Sequence, residues 1–369
     1  MKLALVHEWL TNMAGSERVL AAMHELWPDA PVYTSVYAPE ALPPELGPDR
    51  LRVVSSFLQH VPGARTHWRW LLPLMPAAFE SFDLADFDVV LSNCHQCAKG
   101  VLTPVDTCHI CYCYTPIRYA WEMPARYLAE AGAAGRLVLP GVLRRLRVWD
   151  YTAAQRPDHL LAISHFVRRR IAKHYRRDST VLYPPVDTAR FAPAAQREDF
   201  YLIVSRLVGY KRVDLAAAAL SALGRPLKIV GTGPETERVR QAAGPSVELL
   251  GWRSDDEVRD LYARARGLIF PGVEDFGLTP VEAQASGCPV IAFGRGGATE
   301  TVVADETGVF FAEPTTASLS QAVARFEALS FDPERCRANA RRFDLAAFSA
   351  QLTAFVDNAW AEHQVRAGR

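Results

Sequence analysis

The segment Gly267–Gly294, GLIFPGVEDFGLTPVEAQASGCPVIAFG, contains a strand, a loop, a helix and a second strand in succession. Its two apolar runs, GLIF and PVIAFG, are short and lie next to glycine and proline, which is typical of buried strands. The stretch between them has a helical pattern with Pro280 in its first turn. Two strands joined by a helix form a parallel βαβ unit, so this segment predicts an α/β fold. Its loop contains Glu274 and its helix Glu282.

The same alternation of apolar strands and helical segments continues along the whole chain. KLALVHEW, FDVVLSN and HLLAIS are predicted strands of the first half, and FYLIVSRL, LKIVGTG and SVELLGW are predicted strands of the second. The irregular stretch Tyr183–Asp199, interrupted by prolines, is typical of a linker. We therefore predict two Rossmann-like, doubly wound α/β domains, residues 1–187 and 188–345. We also predict a C-terminal helix over 346–369 that packs on one of the two domains, and we favour the N-terminal domain.

Composition excludes several classes of protein. With 369 residues, 49% of them hydrophobic, the chain is too long for one ordinary core and too apolar to be disordered. Lysines and arginines total 41, as do aspartates and glutamates, so no net charge attracts nucleic acid. The sequence shows no signal-peptide pattern and no apolar run long enough to cross a membrane. We expect a cytoplasmic protein that does not bind nucleic acid.

Seven cysteines, an odd number, do not fit a secreted disulfide framework. Four of them form two CxxC pairs, Cys94 with Cys97 and Cys108 with Cys111, a spacing that also occurs in zinc sites. However, TCHICYCY alternates like a buried strand, and residues three apart on a strand point to opposite faces. We therefore interpret these cysteines as buried thiols and assign no metal to them.

Charged residues follow the predicted strands of the second half. Arg206 comes directly after YLIVS and Lys211 five residues later, and two cations at a strand end suit a diphosphate. Gly277 allows backbone N–H groups to approach an anion. Taken singly, Glu274 is explained as a solvated loop acid and Glu282 as an acid that favours the helix dipole. Together with the cations, two carboxylates that can bind vicinal hydroxyls predict a sugar-nucleotide site.

Three motifs extend this interpretation: SRLVGYKR at 205–212, VGTGPE at 230–235 and EDFGLTPVEAQASGCPVIAFGRGGATETV at 274–302. With these motifs the chain resembles the retaining glycosyltransferases of family 4 over essentially its whole length. The resemblance implies a GT-B fold, in which two Rossmann-like domains face each other across an inter-domain cleft. It also implies these donor contacts: Arg206 and Lys211 to the diphosphate, Glu274 to the transferred sugar, Glu282 to the ribose, and the backbone of Phe276, Gly277 and Leu278 to sugar and phosphates.

In the N-terminal domain the resemblance points to two further positions. Gly15, in the turn after strand one, permits close approach of the donor phosphate or the acceptor. His95 lies where many family members have a histidine near the reacting sugar, although its neighbours here are Cys94 and Gln96. The other interpretation is a histidine hydrogen-bonded within its own loop. His7, at the end of strand one, is expected to be structural.

The resemblance also implies a mechanism. Retention is usually attributed to front-face displacement, in which the leaving diphosphate helps to deprotonate the acceptor, so stabilising its negative charge is the main task. We therefore expect a metal-independent enzyme without a cofactor and with four catalytic residues. These are Glu274, Arg206, Lys211 and His95. Two stretches resemble the Asp-x-Asp metal motif of other transferases, but ADFD precedes a strand, and SDDE, which starts at Ser254, fits a helix capping box.

Two segments are candidates for contact with the acceptor and with a membrane. Residues 112–128, YCYTPIRYAWEMPARYL, either pack on the domain or bind an acceptor sugar through Arg118 and Trp121. Residues 136–177 contain eleven basic residues against two acids, interleaved with large apolar residues. This pattern is either a solvated face or a surface that binds membranes. We expect attachment to the anionic inner membrane, and the residues concerned are Arg168, Arg169 and Arg170.

The segments VHEWLTNMAGSERVL and LYPPVD make the chain similar to the bacterial subgroup that builds O-antigen and exopolysaccharide repeats, often from GDP-mannose. The favoured prediction is a hexosyltransferase, peripheral on the cytoplasmic face of the inner membrane. It moves mannose from GDP-mannose to a polyprenyl-diphosphate-linked saccharide in cell-surface polysaccharide synthesis. One alternative is a soluble glycosyltransferase with a UDP-sugar donor and a water-soluble acceptor. Others are a non-catalytic nucleotide-sugar-binding protein and a zinc-dependent or nucleic-acid-binding protein.

Overall fold

The computed structural model describes residues 1–130 and 132–368. The chain forms two compact units. One consists of Met1–Pro184 and the segment from Phe348 onward, and the other of Pro185–Ala347. The boundary after Pro184 falls within the irregular segment Tyr183–Asp199.

The first unit contains a seven-stranded parallel sheet. Its strands are β1 (Leu3–His7), β2 (Val32–Thr34), β3 (Val53–Ser55), β4 (Val89–Cys94), β5 (Cys108–Cys113), β6 (His159–Ala162) and β7 (Thr180–Val181). The helices between them are α1 (Gly15–Leu26), α2 (Ala64–His67), α3 (Met75–Glu80), α4 (Arg118–Trp121), α5 (Pro124–Glu130), α6 (Ala133–Ala153) and α7 (His165–His174).

The second unit contains a six-stranded parallel sheet. Its strands are β8 (Tyr201–Val204), β9 (Leu227–Val230), β10 (Val247–Gly251), β11 (Gly267–Phe270), β12 (Val290–Phe293) and β13 (Gly308–Phe311). The helices are α8 (Val213–Leu223), α9 (Thr236–Ala242), α10 (Asp255–Arg264), α11 (Leu278–Ala285), α12 (Ala298–Thr301), α13 (Thr316–Ala328) and α14 (Pro333–Ala340). The terminal helix α15 (Leu345–Arg366) begins at the end of this unit and belongs to the first unit from Phe348 onward.

Both sheets are doubly wound. The strand order is β3-β2-β1-β4-β5-β6-β7 in the first sheet and β10-β9-β8-β11-β12-β13 in the second. In each, the chain starts in the middle, runs outward to one edge and returns to build the other half. The pairs β1–β4 and β8–β11 are therefore the points at which the direction of winding reverses. In open α/β sheets of this kind, ligands bind beside that point, at the carboxyl ends of the strands.

Alternate residues of the second sheet enter two separate cores. Ile203 and Ile229 belong to one cluster, whereas Leu202 and Leu268 belong to the other. Successive side chains on a strand point to opposite faces, so the two clusters lie on the two faces of the sheet. Burial on both faces explains why these strands are continuous apolar runs in the sequence.

The strands predicted from long apolar runs are confirmed, and the prediction of a buried strand in TCHICYCY corresponds to β5. Four strands lack a sequence prediction: β2, β3, β7 and β13, which have only two to four residues each. In the terminal helix α15, Phe348, Leu352 and Val356 are buried. Phe348 contacts the ring of Tyr112 in the first unit, with ring centroids 5.9 Å apart.

Candidate functional site

The second unit gathers its predicted site residues in the loops at the carboxyl ends of β8 and β11. Arg206 lies two residues after β8, and Lys211 ends a short 3₁₀ turn, Gly209–Lys211. Glu274 lies in the loop between β11 and α11. Because β8 and β11 are neighbours at the reversal point of the sheet, both loops are at the position where doubly wound sheets bind ligands.

Lys211 and Glu274 form an ion pair in this loop cluster. The Lys211 Nζ lies 2.5 Å from the Glu274 Oε1, and the two side chains are 22% and 13% exposed. A Cβ on Gly272 would lie 2.8 Å from the Lys211 Cα, so the two loops approach this closely only with glycine there. The backbone N–H of Gly297 donates to the Glu274 carbonyl oxygen at 2.8 Å, which holds the acid-bearing loop from its other side.

Helix α11 begins directly after this loop. Gly277 precedes it with a φ of +99°, a left-handed conformation that glycine adopts without strain. The first turn of a helix has backbone N–H groups without an intrahelical acceptor, so Leu278 and its neighbours can donate to an anion. Phe276 is buried and packs edge-on against Phe343, with ring centroids 5.3 Å apart, which fixes the loop ahead of the helix.

Glu282 and Arg206 complete the set predicted in the second unit. Glu282 is partly buried on α11, and its Oε2 accepts a hydrogen bond of 3.0 Å from the Tyr262 hydroxyl on α10. Arg206 is exposed. The loop that carries it is tied to the VGTGPE turn, because the N–H of Leu207 donates to the Thr232 carbonyl at 3.0 Å. The structure thus brings Lys211 and Glu274 into direct contact and places Arg206 and Glu282 on the adjoining loop and helix.

In the first unit, the turn after β1 is organised by Glu17. Its carboxylate accepts from the backbone N–H of Ala14 at 3.0 Å, and its Oε1 lies 3.3 Å from His7 Nε2. The His7 Nδ1 lies 3.2 Å from the side-chain amide nitrogen of Asn93, and the ring is fully buried. Both ring nitrogens of His7 therefore have partners within the unit. Gly15, the first residue of α1, is partly exposed at this turn.

His95 follows β4, the strand beside β1. Every other residue from Cys94 to Gly100 is buried, whereas His95 is partly exposed. Its ring lies edge-on to Trp9, with centroids 4.8 Å apart. Burial lowers the pKa of His95 more than the nearby Glu8 carboxylate raises it, so the net pKa lies below its ordinary value. The imidazole is therefore neutral near pH 7 and can both donate and accept a hydrogen bond.

Sequence reasoning missed a buried ion pair below this loop. The Lys99 Nζ lies 2.6 Å from the Asp150 Oδ1, and both side chains are fully buried. Asp150 also accepts from the Trp121 indole N–H at 2.7 Å and from the Tyr175 hydroxyl. Burial lowers the pKa of Lys99, but Asp150 raises it more, and the net pKa lies well above its ordinary value. The available signal was a lysine next to glycine in an otherwise apolar stretch, CAKGVL.

Two predicted acceptor residues, Arg118 and Trp121, lie on the short helix α4. Both are partly buried. Because the Trp121 indole donates to the buried Asp150, this side chain is fixed within the unit, and its ring also packs on His174 with centroids 4.9 Å apart. Arg118 begins the helix.

The arginines predicted for membrane contact do not share one face of α7. Arg168 and Arg169 are exposed. Arg170 is only 7% exposed and pairs with Glu122, with 2.5 Å between the charged atoms. Val167, Arg170 and Ile171 form the buried stripe of the helix, since residues three and four apart lie on one face. The expectation that Arg170 lies at a membrane surface is therefore wrong.

All seven cysteines are buried and free. Within residues 1–130 and 132–368, one group of side chains is close enough to hold a metal ion, namely Cys108, Asp158 and His363. Cys108 begins β5 and Asp158 precedes β6, so this group lies at the amino-terminal edge of the sheet, away from His95. Two of its members already have partners: Asp158 accepts from the His109 N–H at 2.8 Å, and the His363 Nε2 lies 3.1 Å from a carbonyl oxygen.

The Asp-x-Asp-like stretches have structural roles. Ser254 and Glu257 form the predicted capping box at the start of α10. Asp88 precedes β4 and accepts from the backbone N–H of Lys2 at 2.6 Å. A cavity of about 860 Å³ opens near Asp88 at the amino-terminal edge of the first sheet, far along the strands from His95.

Comparisons with known proteins agree with this architecture. A model described as glycosyl transferases group 1 matches residues 186–343, and one described as glycosyltransferase family 4 matches residues 13–190. A solved Anabaena protein in complex with UDP-glucose superposes with a TM-score of 0.69 at 16% identity, covering 97% of this chain and all of that one.

Two curated relatives are mannosyltransferases. A GDP-mannose-dependent alpha-(1-6)-phosphatidylinositol monomannoside mannosyltransferase of Mycolicibacterium smegmatis is 32% identical over 214 residues, which are 49% of this chain and 55% of that protein. An O-antigen chain mannosyltransferase of Salmonella typhimurium is 26% identical over 151 residues, 38% of this chain and 43% of that protein. The chain thus spans about half the length of the curated relatives it matches. Since the two family models together extend over residues 13–343, one on each doubly wound sheet, the chain belongs to the family 4 glycosyltransferases with the GT-B fold.

Proposed function

We propose that the protein is a retaining hexosyltransferase that moves mannose from GDP-mannose to a polyprenyl-diphosphate-linked saccharide in cell-surface polysaccharide synthesis. The observation that carries this proposal is the Lys211–Glu274 pair at the reversal point of the second sheet. It sets a cation and an acceptor-only carboxylate side by side, next to the N-terminus of α11. The cation and the N-terminus of α11 suit a diphosphate, and the carboxylate suits a sugar hydroxyl.

Each residue of this loop cluster has a role in the proposal. Lys211 and Arg206 bind the diphosphate and stabilise the charge that develops on it as the sugar leaves. Glu274 orients the transferred sugar, and the backbone from Phe276 through Gly277 to Leu278 contacts sugar and phosphates. Glu282 binds the ribose, oriented by its hydrogen bond from Tyr262.

The first unit binds the acceptor in this proposal. His95, neutral at pH 7, hydrogen-bonds near the reacting sugar, and Gly15 leaves room for the donor phosphate or the acceptor. Because the leaving diphosphate takes the proton of the acceptor hydroxyl in front-face displacement, no separate strong base is required. Two cations on the diphosphate side make a metal unnecessary, so transfer is expected to persist in the presence of a chelator.

The choice of GDP-mannose rests on the curated relatives. One is described as GDP-mannose-dependent and the other as an O-antigen chain mannosyltransferase. The test is transfer of radiolabelled mannose from GDP-mannose to polyprenyl-diphosphate-linked saccharides in EDTA, run beside UDP-glucose with water-soluble acceptors. Lipid-linked product from GDP-mannose supports the proposal. Product only from the UDP-sugar and a soluble acceptor establishes the soluble alternative, and binding without any transfer establishes the non-catalytic one.

We further propose that the first unit binds an anionic membrane surface through the exposed face of α6. Within the described residues no helix is sufficiently long and apolar to cross a membrane. The α6 face instead exposes Leu137 at 84% and Val148 at 62%, together with Arg144 and Arg145. An exposed mixture of aliphatic and basic side chains is typical of helices that lie in the headgroup region. Arg168 and Arg169 of α7 add exposed charge.

Vesicle flotation tests the membrane proposal. Replacing Arg144, Arg145, Arg168 and Arg169 by glutamine should release the protein from vesicles rich in phosphatidylglycerol at low salt, since each basic residue near such a surface contributes about 1 kcal/mol. The matched control neutralises four exposed arginines of the second unit: Arg240, Arg325, Arg335 and Arg341. Equal binding by both variants would refute attachment through this face.

A further inference from the structure

The loop after β4 is built around a carboxylate that comes from another strand. Glu8, directly after β1, is fully buried. Its Oε1 accepts from the backbone N–H of Gln96 at 2.6 Å and from those of His95 and Ala98 at 3.1 Å, and its Oε2 accepts from the N–H of Cys97 at 2.9 Å. Four consecutive N–H groups therefore converge on one carboxylate.

Such a run of N–H groups is an anion-binding nest, and here the chain supplies its own anion. Burial raises the pKa of Glu8, but His95 and the N–H groups of Cys97 and Ala98 lower it more, so its net pKa lies below the ordinary value. The carboxylate is ionised at neutral pH. An ionised carboxylate has two acceptor oxygens and no donor, whereas an amide has one oxygen and an NH₂ group that would face the N–H groups. The four N–H donors therefore explain an acid at this strand end.

The loop is fixed at its far end as well. The Lys99 Nζ donates to the Gln96 carbonyl at 2.5 Å and pairs with Asp150. The Gln96 side chain donates to the Tyr119 hydroxyl at 2.8 Å. With both ends held and six of its seven residues buried, the loop leaves His95 as the side chain that reaches solvent.

We propose that Glu8 is a positioning residue of the transfer reaction: its carboxylate fills the nest at 95–98 and so sets the place and orientation of His95. The residue that follows Glu8, Trp9, packs edge-on against the imidazole at 4.8 Å, so one short segment supports His95 both through its backbone and through its ring. This inference rests on the proposed function only in giving His95 a task. The arrangement of the loop itself is independent of that task.

Glu8→Gln is the first test, because it keeps the shape of the side chain and turns one acceptor toward the nest into a donor. We expect kcat to fall by about 100-fold, the effect of a misplacement near 1 Å, while KM for the donor stays unchanged. Amide hydrogen exchange at 95–98 should become faster by at least tenfold. The matched control is Asp158→Asn. It removes a carboxylate that accepts a backbone N–H at the amino-terminal ends of the strands in the same sheet, and it should change neither kcat nor the exchange at 95–98.

Adding a small anion to a variant without the carboxylate tests whether the N–H groups at 95–98 need a negative charge or only a side chain that fills the space. In Glu8→Ala, acetate should restore both exchange protection at 95–98 and kcat, whereas acetamide, of the same size but neutral, should restore neither. Glu8→Asp, which retains the charge, serves if the other variants do not fold, and its kcat should lie between those of wild type and Glu8→Ala.

Full kcat and unchanged exchange in Glu8→Gln would overturn the proposal, as would equal rescue by acetate and acetamide. If the wild-type protein transfers no sugar at all, the proposed function fails, and hydrogen exchange with acetate still decides whether Glu8 orders the loop.

Discussion

Glu8 and Glu274 both lie at the reversal point of their sheets, Glu8 after β1 and Glu274 after β11, and their carboxylates have opposite kinds of partner. Each lies after a central strand at the point where the winding reverses. Glu8 is fully buried and saturated by four backbone N–H groups of its own unit. Glu274 is 13% exposed and pairs with Lys211, itself 22% exposed. The carboxylate of Glu8 is thus bound by backbone groups, whereas that of Glu274 contacts a partly exposed side chain.

This difference shows that the reversal point does not by itself indicate a ligand site. What distinguishes the two is the partner of the carboxylate. Backbone donors are fixed and cannot be given up to a substrate, whereas a lysine has a flexible side chain. In the proposed function, Lys211 turns from Glu274 to the diphosphate and leaves the carboxylate for a sugar hydroxyl. In the first sheet, the proposals give the contact with substrate to His95 and the positioning of that residue to Glu8.

The largest effect is expected from breaking the buried pair below the His95 loop. Lys99→Met leaves Asp150 charged and without its cation, which should lower the free energy of unfolding by about 3–5 kcal/mol. Urea denaturation measures this change. The double variant with Asp150→Asn should recover part of the loss, and a decrease below about 1 kcal/mol for Lys99→Met would contradict the assigned pair.

Glu274→Gln should affect activity while leaving the fold intact. We expect sugar transfer to fall by about 100- to 1000-fold, as for other groups that act on the transition state, with little change in melting temperature. Glu237→Gln on α9, an exposed acid of the same unit, is the control. Turnover at the wild-type rate in Glu274→Gln would remove this residue from the site.

Gly277→Ala tests the loop before α11, and its effect is expected to be smaller than that of Glu274→Gln. A side chain at φ +99° costs about 1–2 kcal/mol, and donor binding should weaken as well because the helix N-terminus shifts. Gly224→Ala, at φ +63° with no neighbour within 4 Å, should lose stability without losing donor affinity. Equal donor affinity in the two variants would argue against an anion at the start of α11.

The smallest effect concerns pH. Because the pKa of Glu8 is lowered on folding from its ordinary value of 4.5, the stability it contributes is present above that value and is lost as pH falls through the folded pKa. The stability difference between wild type and Glu8→Gln should therefore shrink on acidification below about pH 4.5. Parallel curves of unfolding free energy against pH would show that Glu8 is not ionised in its nest.

The sequence predicts the α/β class and the long strands because burial on both faces produces continuous apolar runs. It does not predict β7, since two residues carry no periodicity. The sequence assigns Lys211 and Glu274 to one sugar-nucleotide site from their residue types and motifs, but their direct contact follows only from the pairing of β8 with β11. Arg170 was misplaced because a run of three arginines does not reveal which one faces the core.

Glu8 illustrates the remaining limit. Its donors come from residues 95–98, more than eighty positions away, so only the pairing of β1 with β4 brings them together. An acid between His7 and Trp9 at the end of an apolar strand was the local signal. That signal indicates a special role without identifying the partner.

Donor binding tests the central claim most directly. Thermal stabilisation of the purified protein should be measured with GDP-mannose and with UDP, ADP and TDP sugars, without added metal, for wild type and Lys211→Ala. We predict that GDP-mannose raises the melting temperature most and that the shift is lost in Lys211→Ala. An equal shift in the two proteins would contradict the assignment of the donor site to the Lys211–Glu274 loops.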